Sequence, residues 1–269
     1  MKSTILNTLL QGETPVKTRV SMLFAVVIII VLCSSPTAAD DSVVLYFSFD
    51  EGGGNDVKDS SPAQNDGTVD GDVKWVAGKI GKAMRFDGKG FVEVPHAENL
   101  NLTKAHTISY WLKWDGQGAS WSPFISKTSG GGPKEDNFHT WIGKDKIWDY
   151  ENRPNGQTHG VTKIALDDEW MHLTVTHDGD KTVSFYINGE KDDATNQLPT
   201  TDGNDVNVHV GDDGKGNKGA GTIDELVIFQ RALTDKEIKS LVEVGVEKFL
   251  AVEQTDKLTT TWGDVKNRF

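Results

Sequence analysis

The stretch between Asn137 and Asn152 gathers the side chains best suited to chemistry. His139, Trp141, Trp148, Asp149, Tyr150 and Glu151 fall there, with Trp121 a little upstream. Sugar rings lay their C–H faces on aromatic rings, while polar side chains read the hydroxyls. This mixture suits carbohydrate binding. Phe138 and Trp148 read as core-facing. His139, Trp141, Asp149 and Tyr150 are the candidate ligand-binding residues of an outer groove, unless all these aromatics belong to the core and sheet faces. Asp149 and Glu151 stand two apart, so on a strand they share a face, about 6.5–7 Å apart along it. Retaining glycosidases hold two carboxyls about 5–5.5 Å apart, and inverting ones about 6.5–9.5 Å. The pair is therefore a candidate acid and base, the plainer reading being exposed edge-strand acids.

Other catalytic patterns are missing. The seven histidines contain no His-Glu-x-x-His, and the sequence has no Gly-x-Ser-x-Gly elbow and no phosphate-cradling Gly-Lys-Ser/Thr loop. His172 reads as packed or hydrogen-bonded. Residues 212–217 (Asp-Asp-Gly-Lys-Gly-Asn) are rich in oxygen but lack the twelve-residue calcium-loop spacing, and read as a solvated turn. Residues 167–169 read as a polar turn. Asn101-Leu102-Thr103 fits the N-glycosylation triplet.

The elements that must position these residues are short strands. Residues 43–49 (VVLYFSF) form the first, closed by Asp50 and a glycine run. Residues 59–71 read as turn-rich. Residues 83–86 and 91–94 read as two strands about an Asp-Gly-Lys-Gly turn. In residues 107–114, Ile108, Tyr110, Leu112 and Trp114 alternate onto one face. Residues 124–127, 138–143 and 146–151 are shorter strands. Residues 170–188 form a β-hairpin about Asp178-Gly179, a pair that permits the positive φ of a tight reversal. Residues 190–205 read as a long loop, and 206–210 and 222–229 as the last strands. One helix follows: Thr234 and Glu237 are spaced as a capping box, and Leu233, Ile238, Leu241 and Val242 supply an apolar stripe. The pattern predicts an all-β fold, a two-sheet antiparallel jelly-roll sandwich with a short C-terminal helix.

The composition agrees. The 269 residues carry 40 acidic and 28 basic side chains, a net charge of −12, which suits no nucleic acid partner. One cysteine permits no intramolecular disulfide. Lys17 and Arg19 precede an uncharged run, residues 20–39, whose apolar heart is residues 22–33 and whose end is small and polar. Residues 1–39 read as an export signal cleaved after Ala39, leaving a secreted or extracytoplasmic chain. The alternative is an N-terminal membrane anchor through residues 20–39, the one route to a membrane. Cys33 leaves with the signal, and the net charge becomes −14. One domain, residues 40–246, and a tail, 247–269, complete the organisation.

Four motifs in order carry a family resemblance. They are FSFDEGGG from Phe47 with DSS at Asp59 and NDG at Asn65; GKAMRFDG from Gly81; WMHLTVTHDG from Trp170 with FYING from Phe185; and GTIDELVIFQRALT from Gly221. Together they resemble laminin-G-like domains of the concanavalin A-like superfamily, over roughly residues 43–244. The resemblance implies a jelly roll, though not one activity, because the fold hosts lectins, adhesion domains and glycosidases alike. It also implies a calcium ion where the first and last strands meet, with Asp50, Asn65, Asp66 and Asp224 as candidate metal ligands. Trp148-Asp149-Tyr150-Glu151 is similar to part of the acidic strand of sandwich-fold glucanases, but Ile147 stands where their upstream acid belongs. The expectation is an exported, non-catalytic, calcium-stabilised module that binds carbohydrate or another cell-surface or extracellular ligand. The alternatives are a divergent glycoside hydrolase and a protein-binding adhesion domain.

Overall fold

The computed structural model describes residues 40–114, 116, 121–128, 136–164 and 168–252. The expected export segment, Cys33 and residues 253–269 lie outside them. No helix among the described residues is long and apolar enough to cross a membrane.

Among the described residues fourteen strands run in chain order: β1 (Val43–Phe47), β2 (Asp56–Val57), β3 (Gly67–Ala77), β4 (Lys82–Val94), β5 (His106–Lys113), β6 (Ser122–Lys127), β7 (Phe138–Ile142), β8 (Ile147–Asn152), β9 (Gly156–Lys163), β10 (Trp170–His177), β11 (Thr182–Ile187), β12 (Glu190–Gln197), β13 (Val208–Val210) and β14 (Ala220–Phe229). Helix α1 (Asp235–Val244) follows. All pairings between named strands are antiparallel. One sheet runs β12–β11–β10–β5–β14–β1; the other runs β3–β4–β13–β6–β7–β8–β9, with β2 beyond β3. The two join along one flank, where residues 220–223 of β14 pair with β4. On the opposite flank β9 meets β12. The Asp192 carboxylate there accepts hydrogen bonds from the Val161 amide at 2.7 Å, the Thr162 amide at 3.1 Å and the Thr162 hydroxyl at 2.9 Å.

Period-two alternation explains the packing. Ile108, Tyr110 and Leu112 of β5 and Leu173 and Val175 of β10 meet Phe138, Trp148 and Tyr150 of the other sheet in one core. The Asp178-Gly179 turn forms as expected. Gly179 takes φ +91°, and the Asp178 carboxylate accepts from the amides of Asp180, Lys181 and Thr182, each at 2.9 Å. Thr234 caps α1 in a complete capping box, and Leu233, Ile238 and Leu241 bury against Tyr46 and Phe229 on the outer face of the first sheet. The expected tail begins inside a second helix, 246–252, whose Val246 and Phe249 join that same small core.

Three readings differ. Residues 83–94 are one strand, not two about a turn. Gly90 lies opposite Gly71 at a bulge, and a side chain at Gly90 would collide with the backbone at Asp70 and Asp72. Its glycine serves close strand approach, not reversal. Residues 67–71 are the start of strand β3, not part of a turn-rich stretch, and residues 190–197 are an edge strand, not loop.

Candidate functional site

The site lies on the outer face of β6–β9, and strand register builds it. His139 stands opposite Ser126 on one side and Glu151 on the other, and Glu151 faces Gln157. One row along, Trp141 lies between Pro123 and Asp149, and Asp149 faces His159. Directly paired side chains sit about 4.5–5.5 Å apart at Cβ. Three of the four expected ligand-binding residues, His139, Trp141 and Asp149, therefore converge. Tyr150 does not. It neighbours Asp149 on the same strand and must point the other way. It is fully buried in the core, its hydroxyl 2.8 Å from His106 Nε2. Phe138 and Trp148 are core residues as read.

Electrostatics separates the two carboxylates. Glu151 Oε1 accepts from Arg153 Nε at 2.5 Å, and Oε2 lies 3.7 Å from His139 Nδ1. Burial pushes its carboxyl up, but His139 and Arg153 more than offset this and leave it below the ordinary range. Arg153 Nε also lies 3.2 Å from Asp136 Oδ2, which takes Lys215 Nζ at 2.6 Å. Asp149 has neither kind of help. Burial first, then the negative charges of Asp145 and Glu151, pushes its carboxyl up to about 7. Its oxygens open into a 290 Å³ cleft lined by Trp121, Lys144, Asp145, Gln157 and His159.

The aromatics divide by exposure. Trp141 is 3% exposed, with the His139 ring 4.6 Å away. Among the described residues, neither its indole N–H nor either His139 ring nitrogen has a hydrogen-bond partner. Trp121 is 52% exposed, its ring lying beside Gly143. Trp121 is thus the ring a ligand can reach. The charged supports Asp136, Arg153 and Lys215 were not among the residues read as functional, and neither was β9. Its outward Gln157 and His159 are polar and its inward positions small, so it lacks the apolar alternation that marks a strand.

The expected metal ligands fall into two groups. Asp50 Oδ1 accepts from the Lys82 amide at 2.7 Å, and Asp224 Oδ2 from the Ile80 amide at 2.9 Å, so both flank the turn at residues 78–82. Asp224 is fully buried, its Oδ1 has no partner among the described residues, and burial pushes its carboxyl up to about 7. Asn65 and Asp66 instead serve Asp59. Asp66 accepts from the Asp59 amide at 2.9 Å and from Lys58 Nζ at 2.7 Å, while Asn65 Nδ2 donates to the Val44 carbonyl at 2.8 Å. Asp59 itself accepts from the amides of Tyr46, Ser61 and Asn65. The four do not make one oxygen cage, and among the described residues no three His, Cys, Asp or Glu side chains are grouped to hold a metal. The turn at residues 212–217 exposes residues 214–216 to solvent as read, while Asp212 and Asp213 at its base are buried: Asp213 takes the Lys215 and Asn217 amides, and Asp212 takes Lys218 Nζ at 2.7 Å. His172 is packed as read, its ring bonded to Ser109 and Thr174.

Comparison with known proteins fits this architecture. No curated protein matches the chain. Domain 4 of AbnA, an extracellular arabinanase of Geobacillus stearothermophilus solved with arabinotriose, aligns with a TM-score of 0.59 at 22% identity, over 75% of this chain and 98% of that one. The binding domain of Paraclostridial Mosquitocidal Protein 1 aligns at 0.60 and 20% identity, over 75% and 52%. The binding domain of Botulinum Neurotoxin DC in complex with SialylT aligns at 0.58 and 17%, over 75% and 51%, so this chain spans about half of each toxin domain. At these identities the likeness is one of fold. A family profile, Laminin_G_3, described as concanavalin A-like lectin/glucanases superfamily, matches residues 86–239, more than half of the sequence. The chain belongs to that laminin-G-like family of the concanavalin A-like lectins and glucanases.

Proposed function

We propose that this chain is an exported, non-catalytic carbohydrate-binding module whose ligand lies across the outer face of β6–β9. The observation that carries the reading is the cleft beside Trp121. A half-exposed indole stands next to Asp149, Gln157 and His159, which gives a stacking platform edged by hydroxyl-reading groups. Two neighbours of the same fold were solved with sugars, one with arabinotriose and one with SialylT. A glycan array tests it. Binding that disappears in Trp121→Ala, with an unchanged melting temperature, supports the module. If no glycan binds while a protein is recovered in pull-downs, the adhesion reading replaces it.

Calcium belongs to the same proposal, held by Asp50 and Asp224 beside the turn at residues 78–82. The unpartnered, buried Oδ1 of Asp224 supports it. A cation there neutralises a carboxylate that burial otherwise disfavours. A melting temperature unchanged by chelator and by added calcium counts against it.

One observation favours a glycoside hydrolase as second reading. Asp149 is pushed up to about 7 while Glu151 is held low, the divergence that assigns one carboxyl as acid and the other as base. Reducing-sugar release that vanishes in Glu151→Gln would establish it.

A further inference from the structure

Asp149 differs from every other buried carboxylate on its sheet face. Asp136 is paired with Arg153 and Lys215, Glu151 with Arg153, and Asp212 with Lys218. Asp213 is held by backbone amides. Asp149 is 6% exposed, and among the described residues no donor or cation pairs with it. What remains of its surface opens into the Trp121 cleft.

We propose that the ligand of this cleft is an amine-bearing oligosaccharide, with a free ammonium group set against Asp149 and a sugar face on Trp121. This rests on the carbohydrate-binding reading and names its ligand class. A sugar that covers the cleft removes the last water from Asp149. A neutral sugar offers Asp149 hydroxyl donors but no opposite charge, so the buried carboxylate stays uncompensated or takes a proton, and either costs binding energy relative to a cationic ligand. An ammonium group supplies the missing partner through charge-assisted hydrogen bonds. An acidic sugar meets Asp149 and Asp145 together and is repelled. Trp121 adds a ring face that attracts cations. The net charge of −12 concentrates cations near the surface.

The groups facing Asp149 set its response to pH. They are Trp141 from β7, Glu151 along its own strand, His159 and Gln157 from β9, and Lys144 and Asp145 from the turn between β7 and β8. Lys144 lines the cleft without forming an ion pair to either acid. Burial and the two neighbouring acids place the Asp149 carboxyl near 7, so part of it is protonated at pH 6.5. An ammonium ligand displaces that proton, and binding strengthens as pH rises from 6 towards 7, where the ligand amine is still protonated.

The test uses the full chain on an array carrying each oligosaccharide in its N-acetylated and free-amine forms, at pH 6 and 7. Titration calorimetry on the best pair, in buffers of different ionisation enthalpy, counts protons released. Free-amine forms should bind at least tenfold tighter than their acetylated twins and release a fraction of a proton near pH 6.5. Asp149→Asn should abolish the preference, and Asp145→Asn should reduce it. Nonspecific attraction to the acidic surface is separated by that substitution, which removes one charge among many. If the preference survives Asp149→Asn, the inference is overturned. If acetylated forms bind as well or better and depend on Trp121, the amine is wrong and the carbohydrate module stands. If no sugar binds in either form, both readings fall.

Discussion

Replacing Tyr150 by Phe separates a core role from a ligand-binding role. Tyr150 is wholly buried, and its hydroxyl lies 2.8 Å from His106 Nε2. The other ring nitrogen, Nδ1, lies 2.7 Å from the Lys104 carbonyl, which can only accept. Nδ1 must therefore carry the proton, Nε2 is the acceptor, and Tyr150 donates. Burial, and to a lesser degree the neighbouring His177, lowers the His106 pKa to about 3, so the ring stays neutral at ordinary pH. Tyr150→Phe removes the donor and strands Nε2 without water. The lost bond and the stranded acceptor together cost about 1–3 kcal/mol. For a domain of this size each kcal/mol moves Tm by roughly 2–4 °C, so a fall of about 4–8 °C is the central expectation. Differential scanning calorimetry reads the shift, and a glycan array on the same preparation should show unchanged affinity. An unchanged Tm together with lost binding would refute the placement of Tyr150 in the core.

Trp121→Ala should weaken glycan binding tenfold or more and shift stability by about 0.5 kcal/mol or less, whereas Trp141→Ala, at a buried site, should lower Tm by several degrees. Asp149 titrates near 3.8 when exposed and near 7 in the fold. A raised pKa means that its ionisation opposes folding, so the stability it contributes is present below pH 4 and lost as pH rises through 7. Asp149→Asn should therefore gain stability relative to the parent chain across that window, on the order of 1–3 kcal/mol by urea denaturation, and a difference that is flat with pH refutes it. Thr234→Ala breaks the capping box of α1 and should cost about 1 kcal/mol in the same assay.

The strands that the sequence reveals are those whose inward residues are large and apolar. β5, β10 and β11 announce themselves through Ile108, Tyr110 and Leu112, then Leu173 and Val175, then Val183 and Phe185. β12 (EKDDATNQ) has almost no apolar side chain and is a strand because β11 pairs with it on one side and β9 closes on the other. No local pattern carries that information. The site was half legible for a related reason. Residue type singled out His139, Trp141 and Asp149, and cross-strand register brought them together. Tyr150 shares their chemistry, but it is adjacent to Asp149 on one strand, and adjacent residues cannot share a face. The salt-bridged supports came from distant segments, Asp136 before β7 and Lys215 before β14, and only the fold brings them to Arg153. The metal ligands show the limit of a motif. Of the expected metal ligands, Asp50 and Asp224 flank one turn, while Asn65 and Asp66 hold Asp59 in place.

The contact of Asp192 with β9 bears on how the molecule behaves in a crowd. An outermost strand ordinarily leaves a row of N–H groups on which a second chain can add a strand of its own. Here the Val161 and Thr162 amides are already taken by a buried carboxylate from the other sheet, and Asn196 covers the His159 carbonyl beside them. The chain is thereby protected along this flank from zipping onto its own copies.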